Sequence, residues 1–187
     1  DGRGGDAGGL PPATTVAGIG GFADKARGGR GAADVKRALR YACDNSLSPM
    51  ETDIAETMVF DPRMGGLGLE KPQLNPRFEV TRKNRRALPQ SAYLPDLFWP
   101  RANISVEYDS DKHHRGDRKA SEDAIRRNGI EHLGTRVVTL TWGQARNYYE
   151  FERVALLVAS ALGKKFGPGW DAWANRRIEL HRLLVQR

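Results

Sequence analysis

The chain has one cysteine, Cys43, so no internal disulfide can form. Its place beside Leu39, Tyr41 and Ala42 in a helical pattern makes it a small core filler rather than a reactive thiol. With that lone cysteine, and with His132 and His181 far apart, no spacing of zinc ligands exists. No apolar run approaches the roughly 18 residues of a membrane span, and the N-terminus lacks the apolar core of a secretory signal. A membrane is therefore not an expected partner, and the default location is the cytoplasm. Internal repeats are absent. Large apolar residues are scarce between Gly2 and Gly31, a stretch that holds eleven of the 21 glycines. Such a composition cannot bury enough surface to offset the entropy of ordering, which predicts a flexible linker over 1–31. A chain that opens on Asp1 inside a linker reads as part of a longer protein, with a DNA-binding domain upstream as one candidate.

What is abundant is positive charge. Thirty Lys and Arg against 23 Asp and Glu leave a formal +7, which favours a polyanionic partner, nucleic acid before an acidic protein or a lipid surface. A length of 187 residues suits one domain with appendages.

Helical spacing runs over 32–44 through Ala32, Val35, Ala38, Leu39 and Ala42. A second helix starts sharply at Ser48-Pro49-Met50-Glu51, a capping box with proline at the first helical position, and Ile54, Ala55, Met58 and Val59 form its apolar face. Strands are expected at 76–82, 92–99 and 103–109, followed by a helix over about 118–133 that Gly134 ends. Arg136-Val137-Val138-Thr139-Leu140 has the β-branched content of a buried strand. A long helix from about Gln144 to Leu162 follows, and a last one from Asp171 sets Trp173, Leu180 and Leu184 on one face. This order predicts an α/β fold with a central mixed β-sheet flanked by helices, spanning 32–163 and trailed by a basic helical tail over 164–187.

Chemistry concentrates on Asp96 and Glu107, eleven positions apart on what read as adjoining strands. Strand side chains alternate, so Asp96 shares a face with Leu94 and Phe98, while Glu107 shares one with Ser105 and Asp109 and leaves Ile104, Val106 and Tyr108 opposite. If these strands pair, the carboxylates converge. Mg²⁺ takes oxygen ligands, one or two carboxylates plus water and substrate phosphate, so such a pair in a basic protein points to phosphodiester chemistry. Two solvent-facing acids on an edge strand are the competing reading.

Taken together, Ser48-Pro49-Met50-Glu51, Pro95-Asp96-Leu97-Phe98-Trp99, Val106-Glu107-Tyr108-Asp109 with His113 four residues on, and Gly134-Thr135-Arg136-Val137-Val138 occur in an order that resembles the small bacterial domains related to the very-short-patch repair endonuclease, within the PD-(D/E)XK restriction-endonuclease-like superfamily. The resemblance covers roughly residues 46–163. It implies a Mg²⁺-dependent (or Mn²⁺-dependent) endonuclease acting on DNA, in which Asp96 and Glu107 hold metal, a helix-borne Glu51 completes the acidic cluster, and His113 lies beside it. Two positions depart from the pattern. Asp109 stands where the superfamily has Lys two residues after the second acid, and Ser110 stands where the relatives have Gly after such an Asp. Lys112 and His113 are the nearest replacements for the lost charge, and Asp109 is itself a candidate ligand for a second ion. Glu51 is also accounted for by the capping box alone, and Asp123 with Arg127 by an i,i+4 helix pair.

Basic runs flank the acids: Arg82, Lys83, Arg85 and Arg86 before them, Arg115, Arg118 and Lys119 after them, where a phosphate backbone has to pass to reach the metal. The other reading open to these residues is a binding module of the same fold that has lost catalysis and serves regulation or defence, for instance as an antitoxin-like regulator.

Overall fold

The computed structural model describes residues 14–26, 29, 31–110, 117–167 and 169–186, with the backbone alone for 117–120. In chain order the elements are α1 (Val16–Lys25), α2 (Ala32–Ala38), α3 (Pro49–Val59), β1 (Gln73–Leu74), β2 (Phe78–Glu79), β3 (Ala92–Tyr93), β4 (Leu97–Trp99), β5 (Ile104–Asp109), α4 (Asp117–His132), β6 (Arg136–Thr141), α5 (Trp142–Arg146), α6 (Tyr148–Ala161) and α7 (Ala174–Leu184), with short 3₁₀ turns at Pro62–Met64 and Asp171–Trp173. Four strands form a mixed sheet in the order β1-β4-β5-β6, and helices flank it. β1, β4 and β5 are antiparallel neighbours, whereas β5 and β6 run parallel. A parallel pair needs a crossover, and α4 is that crossover.

Alternation along β5 decides which side chains see which layer. Ile104 and Val106 join Leu97, Trp99 and Leu140 in the main core against Ile54, Ala55 and Met58 of α3 and Phe151, Val154, Ala155 and Val158 of α6. The opposite face carries Ser105 and Glu107 and looks toward α4, whose Ile130 packs with Val80, Leu88, Tyr93 and Val137. Gly129 lets α4 approach so closely, because any Cβ there would overlap the Tyr93 ring.

The expected strand over 92–99 is divided. Pro95 donates no hydrogen bond to a ladder. Before it, β3 pairs with β2 in a separate two-stranded ribbon (Phe78 opposite Tyr93), and after it β4 enters the main sheet. The expected strand at 76–82 shortens accordingly to Phe78–Glu79. The helix expected from Gln144 to Leu162 starts earlier and breaks at Asn147, which is extended (φ −99°, ψ 113°) and whose side chain accepts from the N–H groups of Tyr149 and Glu150. An asparagine that caps the next helix competes with continuing the previous one. The first helix shortens too, to Ala32–Ala38.

Part of the expected linker is helical. Thr15 caps α1 by accepting from Gly18 N–H, Ala23 is buried, and Lys36 pairs with Asp24 across α1 and α2. Val16, Ile19 and Phe22 supply a short i,i+3 apolar stripe inside a glycine-rich composition. The tail also departs from its expected face. Arg177, His181 and Val185 form the buried stripe of α7, and Val185 belongs to the main core. The Arg177 guanidinium donates to the Trp170 carbonyl (2.6 Å), the Tyr148 hydroxyl (3.1 Å) and Glu152 (3.2 Å), while His181 Nε2 donates to the Ala145 carbonyl (2.7 Å). Among the described residues no helix is long and apolar enough to cross a membrane.

Candidate metal and nucleic-acid site

Asp96 sits one residue before β4. Leu97 faces Val106 across the ladder, and the antiparallel register therefore sets Asp96 opposite Glu107. The two acids are tied to each other's backbone. Asp96 N–H donates to Glu107 Oε1 (3.2 Å), and Tyr108 N–H donates to Asp96 Oδ2 (2.8 Å). Each carboxylate thus has one oxygen held by the sheet and one presented to α4. Both presented oxygens meet Arg126, whose Nη1 lies 2.9 Å from Asp96 Oδ1 and whose Nη2 lies 3.4 Å from Glu107 Oε2.

Arg126 reaches them because it precedes Gly129 and Ile130 by one helical turn, on the stripe of α4 that faces the sheet. Sequence reasoning passed over it. The available signal was this spacing ahead of a buried isoleucine, which marks Arg126 and Ile130 as one face.

Asp96 and Glu107 are buried, at 6 % and 3 % exposure, and this decides their protonation. Burial first, and the Asp96 charge second, push the Glu107 carboxyl up to about 8 against the pull of Arg126. Burial also raises Asp96, opposed by Arg126 and the Tyr108 N–H, with the Glu51 charge adding to the rise. For Arg126 burial works the other way, but the two carboxylates outweigh it and hold the guanidinium charged.

Glu51, Asp96, Glu107 and Asp109 line one cleft of about 770 Å³, together with Trp142, Arg146, Arg127 and Arg126. Glu51 serves its helix as well. Its oxygens accept from the Ser48 hydroxyl (2.9 Å), Leu47 N–H (2.9 Å) and Asn75 Nδ2 (2.7 Å), while its own N–H donates to Ser48 Oγ. The expected three-acid cluster is accordingly not assembled: no group of three His, Cys, Asp or Glu among the described residues is arranged to hold a metal ion. Two of the three are arranged differently, with their free oxygens converging on a cation that the chain itself supplies. Glu107 Oε2 is buried and accepts no hydrogen bond. The two carboxyl groups supply oxygens of the kind a hard divalent ion takes, and the Arg126 guanidinium stands where such a cation would sit.

Asp109 ends β5 opposite Thr141, at the cleft wall. Lys112, His113 and Arg115 lie outside the described residues, as do the side chains of Arg118 and Lys119. Arg82, Lys83, Arg85 and Arg86 are exposed in the turn that joins β2 to β3, where Asn84 N–H donates to the Thr81 carbonyl and Leu88 N–H to the Asn84 carbonyl. That ribbon reaches the cleft through Gln90. Asp123 and Arg127, expected only as a helix pair, both line the cleft. Trp142, whose ring the sequence offers either to core packing or to base stacking, lines the cleft, and Arg146 beside it was not singled out. The Arg146 guanidinium lies 5.2 Å from the Trp142 ring centroid, within cation–π range.

Compared with protein-family models, curated proteins and solved structures, the chain matches none.

Proposed function

We propose that this chain is a restriction-endonuclease-like α/β domain that hydrolyses DNA phosphodiester bonds with Mg²⁺, or with Mn²⁺ in its place. The observation that carries the reading is the pair of buried acids set opposite each other by the β4–β5 register, each with one oxygen fixed by backbone and the other turned toward Arg126. Asp96 and Glu107 would hold the ion, with Glu51 and Asp109 as neighbouring negative charge, and its chemistry there would be to neutralise the phosphate and lower the pKa of an attacking water.

The rest falls to the chain's own side chains. Backbone N–H groups fix one oxygen of each acid before substrate arrives. Arg127 and Arg146 put guanidinium groups on the cleft wall, where phosphate oxygens find bidentate donors. Arg82, Lys83, Arg85 and Arg86 grip the DNA backbone from the ribbon turn, joined by the basic run of Arg115, Arg118 and Lys119. His113 carries the proton at neutral pH, with Lys112 as the alternative charge beside it.

The deciding experiment is a cleavage assay on single- and double-stranded DNA with Mg²⁺ and Mn²⁺. Wild type is expected to cut, Asp96→Asn to cut about 10²–10³-fold more slowly, and His113→Ala about 10²–10⁴-fold more slowly with little loss of DNA affinity. A second reading is favoured by the Arg126 bridge and by Asp109 in the lysine's position: a domain of the same fold that binds nucleic acid without cutting it, as an antitoxin-like or defence-associated regulator. DNA binding with no cleavage under either metal would replace the nuclease by that regulator.

A further inference from the structure

The free oxygens of the acid pair are already taken. Asp96 Oδ2 and Glu107 Oε1 are held by backbone N–H groups, and the two oxygens left for a ligand, Asp96 Oδ1 and Glu107 Oε2, are the two that Arg126 contacts at 2.9 and 3.4 Å. A divalent ion and the guanidinium therefore need the same place. The fork fits it unequally, with a hydrogen bond to Asp96 and only a longer ion contact to Glu107, whose oxygen stays without a hydrogen bond. About a third of the Arg126 side chain (33 %) is exposed, so solvent is open to it if it leaves.

We propose that Arg126 is an internal counter-ion of the acid pair, displaced when a divalent cation binds and thereby setting the site's metal affinity. The inference rests on the nuclease reading, because it presumes that Asp96 and Glu107 take a metal. In the metal-free chain Arg126 pairs with Asp96 and lies against Glu107, two buried acids that would otherwise face each other uncompensated. With the ion bound, the same oxygens are neutralised from outside, and the guanidinium turns toward the cleft, where it meets a phosphate. A site of this kind binds metal weakly until substrate gives the displaced arginine a new partner, so metal and DNA bind with positive coupling.

Calorimetric titration of Mn²⁺ into the wild type, Arg126→Gln, Arg126→Lys and Asp96→Asn tests it, with circular dichroism as the check on folding. Arg126→Gln is expected to bind Mn²⁺ at least about fivefold more tightly than wild type, the lower end of ordinary coupling between two ligands. Arg126→Lys, which keeps a charge, should lie between. Losing the positive charge alone also favours the cation, so the arginine resonance is the readout that marks displacement. The Nε–H resonance of Arg126 in the wild type, assigned by its loss in Arg126→Lys, should shift as Mn²⁺'s diamagnetic substitute Mg²⁺ is added, and this readout stands even if Arg126→Gln does not fold. If wild type binds Mn²⁺, Asp96→Asn does not, and yet Arg126→Gln binds no more tightly and the resonance stays put, the displacement is wrong while the metal site survives. If wild type binds neither ion, the nuclease reading fails and the displacement with it.

Discussion

Glu107 is 3 % exposed and faces another acid, so the folded chain holds its proton more tightly than the unfolded chain does. Its contribution to stability is complete below the ordinary value of 4.5 and is lost as the pH rises through about 8. The metal-free protein is therefore expected to lose stability over that window, by an amount on the order of a few kcal/mol, and Glu107→Gln to flatten the dependence. Urea melts at pH 5, 6.5 and 8 measure it; parallel slopes for wild type and variant would show that Glu107 is not the group responsible. Alternation along two short strands was enough to read Asp96 and Glu107 as a facing pair from sequence. Arg126 was not legible in the same way. Its role comes from the side of α4 that lies on the sheet, a tertiary fact, and a charged residue in a strongly polar helix gives little hint of which face is covered.

At the scale of elements, α4 is held at its depth by Gly129 over the Tyr93 ring. Gly129→Ala gains up to about 1 kcal/mol in helix propensity but forces overlap with a fully buried ring, and the overlap wins at roughly 1–3 kcal/mol. The variant should be less stable in chemical denaturation; a more stable variant would mean that α4 rides higher than described. The ribbon turn makes a different prediction. Removing two of Arg82, Lys83, Arg85 and Arg86 should weaken DNA binding about equally across sequences and flatten its salt dependence by about one unit of slope per lost contact, as binding measured at several salt concentrations would reveal. An unchanged slope makes the run a solvated surface. Periodicity located α3, β5, α4 and β6 well, because each is long enough to show a pattern or, for α3, opens on an explicit cap. It failed where a single residue overrode the pattern. Pro95 split one expected strand, and the Asn147 side chain split one expected helix.

Across the whole molecule, the separation into a domain over 32–163 and a tail over 164–187 does not follow the packing. Arg177, His181 and Val185 are buried against α5, α6 and the main core, so α7 closes the fold. The pattern hid this because two of the three are polar residues that composition assigns to a surface. A chain ending at residue 163 is expected to lose at least about 3 kcal/mol, since Glu152 and Tyr148 lose the buried guanidinium that satisfies them. Thermal unfolding of the shortened chain decides it; an unchanged midpoint would restore the tail to the status of an appendage. The β4–β5 hairpin turns over in four residues, Pro100 to Asn103, and aligns Asp96 with Glu107 through contacts that are close along the chain. The Arg126 contact closes a longer loop, 30 positions from Asp96 against 11 between the acids, and on loop-closure entropy it is expected to form later. On that expectation the two acids meet during folding before their counter-charge does. The hairpin's own electrostatics make it a kinetic obstacle that protons or divalent ions relieve, so the refolding rate, more than the unfolding rate, is the quantity that acidity should accelerate.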